Sequence, residues 1–182
     1  MKGPMVAFAG RIGSGKTTLS QGVAERLRWP RVSFGDFVRA EARRLGLDDS
    51  RDTLQGLGES LAAGGWTAFC RAVLAQVVWL PGEAILVDGV RHIEALNALK
   101  GLARPSPVYL VYLALDTSIQ AARLANNGIE GAELRRVEAH STEEQVAFRL
   151  RAAADLVVDA SADLDLLLDA TLGWIESKAT GF

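Results

Sequence analysis

Five short apolar runs punctuate the chain: Met5–Ala9, Arg31–Phe34, Ala84–Asp88, Val108–Leu115 and Leu156–Asp159. Four of them are rich in valine, isoleucine or leucine and show no alternation of polar and apolar positions. A strand with one wet face alternates; a strand covered on both faces does not, so the pattern predicts a buried parallel sheet. Helical spacing fills the intervals, over Lys16–Leu27, Asp36–Leu45, Thr53–Ala63, Trp66–Trp79, Ile93–Leu99, Ser118–Ala125, Glu143–Ala153 and about Leu164–Ser177. Pro81-Gly82 marks a turn. Ser141 with Glu144 matches a capping box, in which each side chain satisfies a free helix-end donor. Asn126-Asn127-Gly128 reads as a helix stop. Strands alternating with helices predict an α/β fold with helices on both faces of the sheet. Residues 127–140 are polar and weakly patterned, which suits a lid or binding loop.

Composition narrows the class. A chain of 182 residues with 49% apolar and 23% charged residues fits one globular domain with a real core. The net charge of -2 gives no basic footprint for nucleic acid, so that partner is not expected. Cys70 is the single cysteine, which excludes an internal disulfide and fits a reducing compartment. The longest apolar run is far shorter than the roughly 20 residues a membrane helix needs. The opening MKGPMVAFAG reads as the first strand and not as a signal peptide, so a cytoplasmic location is expected.

The first run leads into Gly10-Arg11-Ile12-Gly13-Ser14-Gly15-Lys16-Thr17-Thr18. The first eight residues fit G-x-x-x-x-G-K-[ST] at every fixed position, between a strand and a helix as the motif requires. Glycines let the backbone curl so that successive N–H groups point at phosphate oxygens. The following helix adds its positive end. Lys16 supplies a mobile charge for the β- and γ-phosphates, and Thr17 a hydroxyl for Mg²⁺. ATP and Mg²⁺ are therefore the expected cofactors. Switch GTPases, motor ATPases and small-molecule kinases share this loop, so the outcome of binding must be read elsewhere.

Two further stretches bear on it. Gly35-Asp36-Phe37-Val38-Arg39 follows the second run, and Asp88-Gly89-Val90-Arg91 closes the third. Together with the loop they resemble the nucleoside monophosphate kinase family, which carries G-D-x-x-R and D-G-x-x-R at these places; here the second lacks one residue before its arginine. The runs GDFVRAEARRLGL and VDGVR resemble most closely archaeal-type nucleotide kinases of the dephospho-CoA-kinase-like kind. The resemblance covers nearly the whole chain and is specific through Arg91. It implies a P-loop kinase fold: a three-layer sandwich around a five-stranded parallel sheet in the order 2-3-1-4-5. It also implies a single domain, with a helical acceptor-binding insert around residues 36–80 and a lid around 127–140.

The residues themselves agree. Asp36, Arg39 and Arg43 are three and four apart and share one helix face, near the carboxyl end of the second strand, where ligands bind in open α/β sheets. Arg39 suits an acceptor phosphate because its planar fork matches one. Asp88 ends an apolar run and is a candidate both for Mg²⁺ waters and for the acceptor. Arg91 resembles the family's acceptor-phosphate arginine, and Arg123 its first lid arginine; Arg135, Arg136 and Arg149 are further cations near the lid. His92 and His140 lack ligand-spaced partners, so no zinc site is indicated. Trp29, Trp66, Trp79 and Trp174 read as packing anchors, with Trp66 also able to border an acceptor pocket. Three functions stay open. One is transfer to a small phosphate-bearing metabolite, most simply a nucleoside monophosphate, with Lys16, Asp36 and Arg123 at the chemistry. Another is a kinase with a hydroxyl acceptor such as dephospho-CoA or a nucleoside. The third is a regulatory P-loop module with slow ATPase activity.

Overall fold

A computed structural model describes residues 3–126 and 146–179. In chain order the elements are β1 (Met5–Gly10), α1 (Lys16–Leu27), β2 (Arg31–Ser33), α2 (Phe34–Arg44), α3 (Arg51–Ala63), α4 (Trp66–Leu74), β3 (Ile85–Asp88), α5 (Ile93–Leu102), β4 (Val108–Ala114), α6 (Thr117–Asn126), a π-helical turn (Val146–Leu150), β5 (Leu156–Asp159) and α7 (Leu164–Ala179). The five strands form one parallel sheet in the order β2-β3-β1-β4-β5, as the resemblance implied.

β1 is central, and all six of its residues are buried. Met5, Ala7 and Ala9 pack into the core shared with α4 and α5, while Val6 and Phe8 join the core under α1 and α7. This is the physical meaning of the unbroken apolar runs: both faces of the strand are dry. Parallel register brings the carboxyl ends of β1, β2 and β3 together, with Phe8 and Ser33 both opposite Asp88.

Helix starts follow local chemistry. α2 begins at Phe34 rather than Asp36, because the Ser33 side chain accepts from the Asp36 N–H at 3.2 Å and caps the helix two residues early. Ser50 caps α3 in the same way. The helix expected over Trp66–Trp79 stops at Leu74. Beyond it, the Trp79 indole N–H donates to the Glu83 carbonyl at 2.9 Å, and Glu83 in turn accepts from the Leu80 N–H. These bonds serve a turn around Pro81-Gly82 and not another helical turn. Of the helix expected over Glu143–Ala153, residues 146–153 are described: a π-helical turn over Val146–Leu150 that runs on helically through residues 151–152. The Ser141–Glu144 cap and the lid at 127–140 lie outside the described residues. Among the described residues no helix is long and apolar enough to cross a membrane.

Candidate functional site

The glycine loop is built by backbone geometry. Gly13 and Gly15 take left-handed φ values of 81° and 83°, which cost other residues about 1 kcal/mol or more. Gly15 is the N-cap of α1 and offers no side-chain cap, so the first N–H groups of the helix remain for a ligand. A Cβ on Gly10 would stand 2.7 Å from Ser14 Oγ and 2.9 Å from the Leu113 carbonyl, so only glycine fits there.

The loop's carbonyls are held from α6. Gln120, buried at 2% exposure, donates to the Ile12 carbonyl at 2.9 Å and accepts from Arg11 at 3.3 Å. Arg123 donates to the carbonyls of Gly13 and Ala160. With its carbonyls engaged on that side, the loop can turn N–H groups inward. Arg123, expected at the transferred phosphate, thus has its guanidinium on a loop carbonyl and on the chain just after β5.

Lys16 and Thr17 open α1 beneath the loop. Burial, and then the nearby Arg91 charge, push the Lys16 ammonium down to about 8, with Asp88 acting the opposite way. Thr17 Oγ1 donates to Asp88 Oδ2 at 2.9 Å. Asp88 is 2% exposed, and Arg31 donates to the same Oδ2 at 2.6 Å. Its other oxygen, Oδ1, is buried without a hydrogen-bond partner among the described residues. A buried carboxylate oxygen left bare is costly, which makes it a candidate acceptor for something the site takes up.

From Lys16 a cavity of about 1000 Å³ extends toward α2, α3 and α4. Its wall includes Asp36, Arg39, Arg51 and Arg91. Arg39 donates to Asp36 Oδ1 at 2.8 Å. Arg91 is pushed down to about 10 by burial and by the Arg51 charge. Aromatic rings line the same cavity: Trp66 stacks on Phe69 with centroids 6.0 Å apart and meets His92 at a tilt at 4.8 Å, and Phe34 meets Phe69 edge-on at 5.3 Å.

The structure thus gathers Lys16, Thr17, Asp36, Arg39, Asp88 and Arg91 around one space, with Ile12 at its edge. Arg43 is exposed and is not among the residues lining it. Arg149 pairs with Glu94 of α5 at 3.1 Å. Arg135, Arg136 and His140 lie outside the described residues. Sequence reasoning missed Arg31, Arg51, Gln120 and His92. For Arg31 a signal existed: a charged residue opening a buried strand needs a counter-charge nearby, and Asp88 supplies it. Gln120 had none, because an amide at helical spacing looks like any solvated side chain.

Residues 9–138 match the AAA domain family. A UPF0200 protein of Pyrobaculum aerophilum is 35% identical over 68% of this chain and 66% of its own length. The chain spans about half to two thirds of the curated relatives it matches first. Among solved structures, shikimate kinase from Aquifex aeolicus superposes with a TM-score of 0.58 at 16% identity, covering 98% of this chain and 99% of that one. A gluconokinase from Sinorhizobium meliloti 1021 does so with 0.59 at 16% identity, covering 99% and 95%. These two share the fold. The chain belongs to the AAA domain family and has the P-loop kinase fold.

Proposed function

We propose that this protein is a nucleotide kinase of the nucleoside monophosphate kinase type, transferring the γ-phosphoryl group of ATP to a small phosphate-bearing metabolite, most simply a nucleoside monophosphate. The observation that carries it is the crowding of cations on one cavity, which Lys16, Arg39, Arg51 and Arg91 line together. Like charges held together against their own repulsion suit anionic ligands on two sides of a reacting centre. The aromatic side formed by Trp66 and Phe69 offers a flat base a stacking surface.

The residues present fit a magnesium ion. Thr17 Oγ1 and Asp88, with its bare Oδ1, would hold it with its waters. When bound, it neutralises charge on the β- and γ-phosphates. Lys16 then binds donor phosphate in its ammonium form, while Arg39, Arg51 and Arg91 hold the acceptor's anion. The helical insert around residues 36–80 is read as the acceptor side of a single domain, with residues 127–140 as the lid. ATP, magnesium and the acceptor are the partners of this reading, and the cytoplasm its setting.

A coupled ADP-release screen tests it. We expect stimulated turnover with one nucleoside monophosphate, and none with nucleosides or dephospho-CoA. Efficient transfer to a hydroxyl compound alone would reverse the choice. Asp36 separates the two chemistries. A phosphate acceptor has a second pKa near 6, so its oxygen is already largely ionised at neutral pH and needs no base. The Asp36 carboxylate already accepts from Arg39, which suits holding that arginine. For a phosphate acceptor, Asp36→Asn should raise the acceptor KM and leave the pH–rate profile in place. A lost titrating base, with a fall of about 10²–10⁴-fold, would instead mark a hydroxyl acceptor.

The Lys16 shift gives a pH prediction. Its value of about 8 in the fold lies below the ordinary 10.5, so between these limits the unfolded chain binds more protons. In that window its contribution to stability rises with pH. Phosphate binding needs the ammonium form, so above pH 8 binding must take up a proton. Calorimetry of ADP binding near pH 8.5, in two buffers of different ionisation enthalpy, should show that uptake, and Lys16→Met should lack it. Equal heats in both buffers would rule out the assignment.

A further inference from the structure

Five polar side chains form a line from the donor loop to the acceptor helix. Thr17 Oγ1 donates to Asp88 Oδ2 at 2.9 Å. Arg31 Nη2 donates to the same oxygen at 2.6 Å, and Arg31 Nη1 stands 3.8 Å from Asp36 Oδ2. Asp36 Oδ1 accepts from Arg39 at 2.8 Å. Arg31 Nε donates to Ser20 Oγ at 2.9 Å, so the stem of the guanidinium is fixed on α1 while its tip faces two carboxylates. The Arg31 side chain is 17% exposed against 48% for Arg39, so its charge is the less screened of the two.

Arg31 serves the two carboxylates unequally. Asp88 receives a short charge-assisted bond, and Asp36 a loose ion pair. Arg39 is the second cation on Asp36. A planar guanidinium held at Nε can tilt between two acceptors, and the one with less compensated charge attracts it more.

We propose that Arg31 is a positioning residue that couples the donor and acceptor halves of the site. An acceptor phosphate draws Arg39 away from Asp36. Arg31 then turns toward Asp36 and loosens its hold on Asp88. That carboxylate becomes freer to serve the cation of the donor nucleotide. Acceptor binding thereby tightens binding of the magnesium nucleotide, and the reverse holds by linkage. The inference rests on the proposed function in taking Arg39 as an acceptor ligand and Asp88 as the metal-side carboxylate.

Arg39→Ala tests it without any acceptor, because it removes the partner of Asp36 directly. Binding of Mg-ADP is measured by calorimetry in the wild type, Arg39→Ala, Arg31→Met and the double variant. Arg39→Ala is expected to tighten Mg-ADP by about fivefold or more, the lower end of ordinary site coupling. In the Arg31→Met background the same substitution should change nothing. ADP titrated in EDTA should not respond to Arg39→Ala in either background, because the coupling runs through Asp88. Tightening that persists without Arg31, or Mg-ADP affinities equal in the wild type and Arg39→Ala, overturns the coupling and leaves the nucleotide reading standing. Failure of Mg-ADP to bind any variant overturns both. Should Arg31→Met fold poorly, Arg31→Lys takes its place. A single ammonium keeps the charge but cannot span both carboxylates, so it too should abolish the effect.

Discussion

Replacing Lys16 with alanine is expected to lower phosphoryl transfer by about 10²–10³-fold or more, the usual cost of removing one preorganised charge-stabilising donor. The fold should survive. The loop takes its shape from the left-handed Gly13 and Gly15 and from the bonds of Gln120 and Arg123 to its carbonyls, none of which involves the lysine side chain. Stability near neutral pH should be unchanged or higher, since the Lys16 charge is disfavoured in the fold. Turnover and the thermal midpoint, measured on the same preparation, separate the two effects. Turnover like that of the wild type would remove Lys16 from the chemistry.

Arg91→Met should act on the acceptor side. Arg91 lines the cavity with Lys16 and Arg51, in electrostatic reach of both. Losing a charge-assisted contact to an acceptor anion costs about 1.5–3 kcal/mol, so the acceptor KM should rise about 10- to 100-fold with nucleotide binding retained. A second readout is independent of acceptor identity. Burial first, and Arg91 after it, hold the Lys16 value down, so without Arg91 the alkaline limb of ADP binding should move to higher pH. A limb that stays where it was, or a loss of ADP binding with the acceptor KM unchanged, would contradict the geometry.

The fold was largely legible along the chain because its inner strands β1 and β3 are buried throughout. Met5 to Ala9 carry no polar position to betray a wet side, and each of the five runs became a strand of the sheet. The loop was legible because its chemistry is local: glycines at fixed spacing, then Lys16 and Thr17, all within nine residues. Asp36, Arg39, Asp88 and Arg91 were legible through their motifs, and parallel register brought them to one cavity.

What the sequence left open depended on pairing between distant positions. Arg31 and Asp88 are 57 residues apart, and Gln120 and Ile12 are 108 apart. Nothing in a local pattern says that a strand-opening arginine will share a carboxylate with the loop threonine, or that a helix amide will turn a loop carbonyl. The end of α4 likewise depended on where Trp79 found a carbonyl for its indole N–H. Local spacing determines which elements form and which chemistry the loop carries, because those depend on backbone period and near neighbours. The tertiary structure decides which charges meet, because a buried charge takes its partner from whatever the sheet order sets beside it.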